Sequence, residues 1–471
     1  MIDSKFPQVH LYDQDLVDLY NQTWALIADF WKQGQNGWAK KFFIHPEADL
    51  LSLFESALST FFLVYSNNEY PAHPQMDNLY RKQEENGAIR AYYDVEEGAP
   101  FLTPDNPEGL APPLLAWTEH NLYHKIGNKK RIKEVMPYLQ KYFTWLEATC
   151  KDDSGLYHAP LSATMIPTPS RKEAYYPVDF NALAALNAWY MAELGDLLND
   201  KELSFFYRKH YFALKTRINN LMWDEETGFY YDLDKDQRQL PHRTLGAFWT
   251  LLAQIPNEGR AERLISYLRD PKEFGTPNPF PTISASDPLF SEEGNGPCGS
   301  VYPCFTFMVI KGLELYKHYE LAREAAFRHL YFILDTLYPD EKTRGDLWEA
   351  YKPTKEGPAI WEGHPEFPRK NFLPYVALAT ITLMIENVIG LSISLPRKTV
   401  DWIIPALEIM GIENLSLKRN YITILTNKNN MGWEVRLESE KLYYFTIDIL
   451  GKKRKTLPIP SGKCSILIDK I

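Results

Sequence analysis

Stretches with apolar residues every three or four positions recur through the first 390 residues, and the gaps between them are alternately short and long. Glu47 to Tyr65, for example, carries Leu50, Leu51, Phe54, Leu58, Phe61 and Phe62 on one stripe, the spacing of a helix face turned towards a core. The same periodicity predicts helices over Asp13–Trp31, His73–Glu84, Gly109–Lys125, Lys130–Thr149, Asn181–Leu198, Lys201–Met222, Arg243–Gln254, Gly259–Leu268, Tyr302–Tyr319, Leu321–Leu337 and Asn371–Ile389. Short links such as Gly127-Asn128 and Asn199-Asp200 are turn and C-cap signals that fold one helix back on the last. Hairpins joined by long links suggest an (α/α)6 toroid. A solenoid is the competing arrangement, but no fixed period of about 20 to 50 residues is present. The expected fold class is therefore all-α, a toroid of helical hairpins with a small C-terminal antiparallel β-unit. In a toroid the long links, 86–108, 151–178, 271–301 and 338–370, gather at one end, and function normally sits on such loops.

Two pieces depart from the helical period. Trp223 to Asp232 reads as strand, tight turn, strand, with acidic residues that fit a solvated hairpin better than a calcium loop. After Leu391 the pattern shortens to alternating runs: Tyr421–Leu425, Trp433–Leu437, Tyr443–Ile447 and Ser465–Ile468. The expected division is a helical domain over 1–392 and a β-rich domain over 393–471. The basic turn Gly451 to Lys455 is expected to be a solvated hairpin end.

Charge narrows the partners. Lys and Arg total 51 against 61 Asp and Glu, a net charge of −10, which argues against nucleic-acid and anionic-membrane partners. Cys150, Cys298, Cys304 and Cys464 form no CxxC pair, so neither a metal site nor a disulfide scaffold is expected. No cofactor is expected, because phosphate loops, dinucleotide fingerprints, GxSxG elbows and HExxH helices are all missing. Residues 1–6 open no apolar leader, and Val376–Gly390 is interrupted by Glu386 and Asn387, so it reads as a buried helix. The expected location is the cytoplasm.

Carboxylates and aromatics on loops remain, and cleavage of a glycosidic bond needs little else: an acid for the leaving oxygen and a base for water. Aromatic residues make up 14% of the chain, and their faces suit the apolar faces of sugar rings. The strongest cluster is Gly345 to Pro353, in which Glu349 stands between Trp348 and Tyr351. Rings on either side of a carboxylate lower the local dielectric and tune its proton affinity. The competing interpretation is a surface glutamate beside core aromatics.

Trp348-Glu349-Ala350-Tyr351-Lys352-Pro353 resembles the WExYxP element of (α/α)6 glycoside hydrolases related to family 63, the mannosylglycerate hydrolase and trehalase-like group of six-hairpin glycosidases. Other segments follow in that family's order. Phe54-Glu55-Ser56 stands where the group has Trp-Asp-Ser, and Asp77 to Arg90 is similar to its LDNFYxxQxxxGxIxR stretch. Tyr176 to Ala182 is similar to its PVDLNA helix entry, and Gly299 to Leu313 to its GPVWPPxNYxVxxGL segment. The resemblance spans about residues 20 to 392. It implies Glu349 as general base, and a sugar pocket lined by Phe54, Glu55, Trp117, Tyr176, Asp179, Tyr302 and Trp348, with Tyr351 beside the base. Asp179 has a second possible role, as an N-cap of the helix after it.

One departure bears on mechanism. The family places its general acid in an SGMDNSPR element, where this chain has Ile166 between Met165 and Pro167. No acidic residue occurs between Ser154 and Lys172. The donor is then expected from Asp179 first, with Glu173 and Glu55 as rivals, while Arg171 is expected to bind a substrate carboxylate. The leading expectation is an inverting glycosidase acting on a small oligosaccharide or glycosylated metabolite. The alternative is a non-catalytic carbohydrate-binding protein that has lost its acid. A third is a toroidal epimerase or phosphorylase: epimerases of similar architecture use histidine pairs, and His120 and His124 sit one helical turn apart, though they are expected to decorate a helix surface.

Overall fold

Ser52 ends a short strand (Leu50–Ser52) and caps the helix that follows, its side chain accepting a hydrogen bond from the Glu55 N–H at 3.3 Å. Gly127 closes another helix in the left-handed conformation a C′ glycine adopts freely, and Asn128 caps the next by accepting from the Arg131 N–H. Such caps set the helix boundaries in a computed structural model that describes residues 5–340, 343–404, 407–418, 420–449, 453–459 and 461–468. The α-helices are α1 (Gln14–Ile27), α2 (Leu53–Leu63), α3 (His73–Arg81), α4 (Leu115–Ile126), α5 (Lys129–Cys150), α6 (Val178–Leu198) and α7 (Lys201–Leu221). They continue with α8 (Trp249–Leu252), α9 (Glu258–Arg269), α10 (Pro303–Leu315), α11 (Tyr319–Leu337) and α12 (Leu373–Ala377), the last running on as a π-helix over Leu378–Ile389.

The even-numbered helices are the inner ones. α2 packs on α4, α4 on α6, α6 on α8, α8 on α10, α10 on α12 and its continuation, and these return to α2. Outside them α3 lies on α2, α5 on α4 and α6, α7 on α6, and α11 on α10. The long links meet one another: Thr168 Oγ1 lies 3.6 Å from Cys298 Sγ, Val301 pairs with Tyr351, and His45 Nε2 is 3.3 Å from the Lys370 carbonyl.

At the far ends of the inner helices a buried ionic cluster ties four of them together. Glu386 is bound by Lys125 Nζ at 2.8 Å and Lys311 Nζ at 2.7 Å and accepts from the Tyr65 hydroxyl, while Lys311 also reaches Glu314 at 3.0 Å. Burial alone would raise the Glu386 carboxyl, but the two lysines hold it down to about 2. A depressed carboxylate contributes stability that is full above its unfolded value and lost as pH falls through the folded one. Wild-type protein is therefore expected to lose more urea resistance between about pH 4.5 and pH 2 than Glu386→Gln, which starts out weaker at pH 7. Parallel loss in the two proteins would exclude Glu386 as a source of acid sensitivity.

The structure corrects the all-α expectation in several places. Strands occur among the helices, at Trp31–Gln33 against Lys41–Phe43 and at Leu50–Ser52 against Tyr92–Asp94. The C-terminal unit is two sheets rather than one small antiparallel piece. In the four-stranded sheet Tyr443–Ile449 runs antiparallel to Lys453–Ile459 but parallel to Thr399–Ile404. In the five-stranded sheet one edge strand is Gln8–His10, paired with Gly411–Glu413, and the other is Gly462–Leu467. The division at 392 falls inside the strand Leu391–Ser394. Gly451 and Lys452 of the basic turn lie outside the described residues, and Lys453 to Lys455 belong to a strand instead. Asp232 of the acidic hairpin is buried, not solvated. Among the described residues no helix is long and apolar enough to cross a membrane.

Candidate active site

Three chain segments bring charge together where the long links meet. α2 supplies Glu55 from its first turn, and the link after α11 supplies both Glu349 and Arg369. Glu349 and Arg369 face each other across a tight backbone pair, since the Glu349 N–H donates to the Arg369 carbonyl at 3.0 Å. The Arg369 guanidinium donates to Glu349 through Nε at 2.9 Å and Nη2 at 2.8 Å, and its backbone N–H adds a third bond at 3.1 Å. The same Nη2 donates to Glu55 at 3.2 Å. One nitrogen thus joins the two carboxylates, whose oxygens lie no farther apart than those two bonds laid end to end.

The surroundings are aromatic. Arg369 lies 3.6 Å over the Phe372 ring, and Phe54 and Tyr302 approach Tyr375 at 6.2 and 6.4 Å between ring centres. Phe367 packs between Tyr302 and Trp361, and Lys370 lies over Trp348. Burial pushes the Glu55 carboxyl above its ordinary value; the adjacent Glu349 charge pushes the same way, and Arg369 pulls against both. Burial likewise holds the Tyr302 and Tyr375 hydroxyls protonated, with the Glu349 charge adding to it. Arg369 keeps 40% of its side chain exposed, while Glu349 keeps 11%.

Of the residues singled out in the sequence, Phe54, Glu55, Tyr302, Trp348 and Glu349 meet here. Tyr351 does not line the site: it is fully buried, its hydroxyl accepts from the Trp348 N–H at 2.9 Å, and so it shapes the loop from below. Trp117 packs deeper in the ring against Phe61 and Phe307.

Arg171, Asp179 and Tyr176 belong to a different cluster. The Arg171 side chain is 0% exposed and donates to Asp179 through Nη1 and Nη2, both at 2.8 Å, and to Asp232 through Nε at 2.7 Å. Nη2 also donates to Asp232 at 3.0 Å, and Nη1 to the Ile166 carbonyl at 2.9 Å. With every arm of its guanidinium engaged, Arg171 has none for a substrate carboxylate, a correction to the expectation. Asp179 is corrected with it: both its oxygens accept from Arg171, and Oδ1 also accepts from the Phe180 N–H at 2.8 Å. Nor is it an N-cap, since α6 begins at Val178, whose N–H donates to Asp232. Tyr176 gives its hydroxyl to Asp152 at 2.7 Å. Ile166 is itself fully buried. His120 and His124 pair at 4.6 Å on the far half of α4, where burial lowers them to about 3 and about 4 and leaves both neutral near pH 7.

Arg369 was missed by sequence reasoning. Its signal was faint: a cation two residues after Phe367, in the link that also carries Glu349. Asp232 was missed because its neighbours in the hairpin are solvated acids.

Residues 68–368 match the model of the mannosylglycerate hydrolase MGH1-like glycoside hydrolase domain, and residues 390–471 match that of the trehalase C-terminal domain. A protein of Borreliella burgdorferi, described only as uncharacterized, is 51% identical over 475 residues and covers 100% of both chains. Among solved structures, a sialidase superposes with a TM-score of 0.74 at 15% identity over 96% of this chain, which spans 41% of the sialidase. The family 63 mannosylglycerate hydrolase of Thermus thermophilus, in complex with glucose, gives a TM-score of 0.60 at 18% identity, over 77% of this chain and 99% of that one. Neutral trehalase of Saccharomyces cerevisiae gives 0.55 at 14% identity, over 74% and 73%. At these identities the likeness is one of fold.

Proposed function

The chain belongs to the mannosylglycerate hydrolase-like glycoside hydrolases, and from that premise we propose that it hydrolyses a small oligosaccharide or glycosylated metabolite with inversion, using Glu349 as base and Glu55 as acid once substrate parts the bridged carboxyls to the separation of about 6.5–9.5 Å that an inverting pair needs. The observation that carries this is the Glu55–Arg369–Glu349 bridge. It supplies the second carboxyl that the Ile166 loop lacks, within hydrogen-bonding reach of a shared nitrogen.

The two carboxyls sit in unequal surroundings, which is how acid and base are told apart. Glu349 accepts three hydrogen bonds from Arg369. Glu55 accepts one from it and is pushed towards protonation by burial. In the proposed step Glu349 takes a proton from water as the water oxygen attacks the anomeric carbon. The bond from that carbon to the leaving oxygen breaks, and the Glu55 proton passes to the leaving oxygen. Arg369 holds both carboxyls in the free protein; as a sugar enters, it stays on Glu349 through Nε and its backbone N–H while its Nη2 gives up Glu55. Trp348, Tyr302 and Phe54 offer ring faces or edges to the sugar.

Glu55→Gln tests the acid. Activity on substrates with poor leaving groups is expected to fall on the order of 10²–10⁴, while activated aryl glycosides are spared, because they need little protonation. The proton donor must be protonated to act, so wild-type kcat/KM is expected to decline as pH rises through the raised Glu55 value, and the variant to lose that alkaline limb. Equal losses on both substrate types would remove Glu55 from the acid role. Anomer-resolved NMR of the first product checks inversion, and a retained anomer would make Glu349 a nucleophile instead. Sugar binding without any turnover would favour the carbohydrate-binding alternative, for which the buried Ile166 speaks.

A further inference from the structure

Where the last turn of α2 meets α3, the end of α4 and the start of α5, the surface folds into a cleft of about 800 Å³, reached also by Leu395 and Lys418 of the strand unit. Small-molecule sites occupy about 300–1,000 Å³. Glu55 stands in the first turn of α2 and Leu63, in the cleft wall, in its last, so the two places are separated by roughly 12 Å of helix. We propose that this cleft is a second carbohydrate site, taking a neutral oligosaccharide, distinct from the carboxylate pair at Glu349.

The argument rests on what the wall offers. Arg131 is fixed at its centre, donating to Glu119 through Nε and Nη2, both at 2.8 Å, and to Asp77 through Nη1 at 2.7 Å. The Tyr80 hydroxyl donates to the same Glu119 at 2.9 Å, and the Glu119 side chain is 0% exposed. These groups are held rigidly by one another, with Asp77 at the solvent edge. The wall comes within one charge of balance: Asp77, Glu119 and Glu134 stand against Arg81, Arg131, Lys125 and Lys418, and Lys125 is bound to Glu386 just outside it. A balanced wall gives a phosphate, a carboxylate or a metal ion no electrostatic preference. Arg131, Tyr80 and Glu119 are engaged with one another, and what they hold out to the cleft is Asp77, 31% exposed, an acceptor for a sugar hydroxyl. Tyr138 stacks on Tyr80 at 5.3 Å and 28° and leaves 42% of itself exposed, a ring platform on the rim. Fixed polar pairs beside an open aromatic face are what a sugar ring needs on its edge and on its apolar face.

The site is tested on full-length Glu349→Gln protein, which keeps sugars intact, titrated with maltotriose, trehalose and mannobiose by calorimetry and saturation-transfer NMR. Saturable binding of at least one sugar is expected to persist when Trp348→Ala is added at the carboxylate end. It is expected to weaken roughly two- to ten-fold with Tyr138→Ala and to weaken again with Asp77→Asn. Urea midpoints of these two variants, both altered at the solvent edge, separate lost binding from lost folding. Hydrolysis by the wild type is expected to be unchanged by Tyr138→Ala, so failure of the hydrolase proposal and failure of this one are read separately. Binding by none of the three sugars, or binding indifferent to both Tyr138→Ala and Asp77→Asn, overturns the proposal.

Discussion

Glu349→Gln is expected to lower kcat on the order of 10²–10⁴ and to leave KM nearly unchanged. The amide keeps the shape and one acceptor oxygen for Arg369, so the loop stays folded, but it cannot take a proton from water. In the proposed step the Glu349 carboxylate acts only as that proton moves, and an interaction made only in the transition state appears in kcat and kcat/KM alike. The measurement is steady-state hydrolysis of a substrate that the wild type turns over, with the urea midpoint recorded beside it. A variant at the wild-type rate would show that Glu349 is not the base.

Arg171→Met is expected to be the most destabilising single change in the helical ring. It leaves Asp179 and Asp232 buried and facing each other without their shared cation. Breaking a buried ion pair by removing one partner costs about 3–5 kcal/mol, and here two pairs break at once. Urea unfolding should show the loss, and Asp179→Asn with Asp232→Asn in the same chain should recover part of it, because the neutral amides have no charge to leave unmatched. The opposite result, an unshifted midpoint with a raised KM, would return Arg171 to the substrate role that its motif suggests.

The helices were legible because a period of three and four residues is enforced wherever one face is buried. Their ends were less so. Leu50 and Leu51 extend the apolar stripe of α2 backwards, yet they form a strand paired with Tyr92–Asp94. The spacing Ser52-Leu53-Phe54-Glu55, a Ser followed three residues later by Glu, was the capping signal that marks the true start. The 243–254 segment keeps only a 3-10 turn and one turn of α-helix. Buried on nearly every side, it has no polar face to give its pattern a length, and Gly246 must lie so close to Asp179 that an added Cβ would come within 2.7 Å of that side chain. At the candidate site, Glu349 and Glu55 were legible as carboxylates beside aromatic rings. Arg369 was not, because a single cation in an irregular loop carries no periodicity, and its meaning arises only when Glu55, distant in sequence, arrives beside it. Asp179 misled for the converse reason: its motif points to a pocket, while its partner Arg171 is shared with Asp232, which comes from a hairpin more than fifty residues later.

The strand Gln8–His10 couples a segment before the helical ring to one after it. It waits as an unpaired segment until Gly411–Glu413 has been made, some four hundred residues later. During translation the helices can assemble in order, but the five-stranded sheet lacks its edge until nearly the whole chain has left the ribosome. A nascent chain stalled before that point carries an unmatched strand at its front, open to pairing with another stalled copy. The clasp between these two strands thus makes closure of the sheet wait on a segment that follows the whole helical ring.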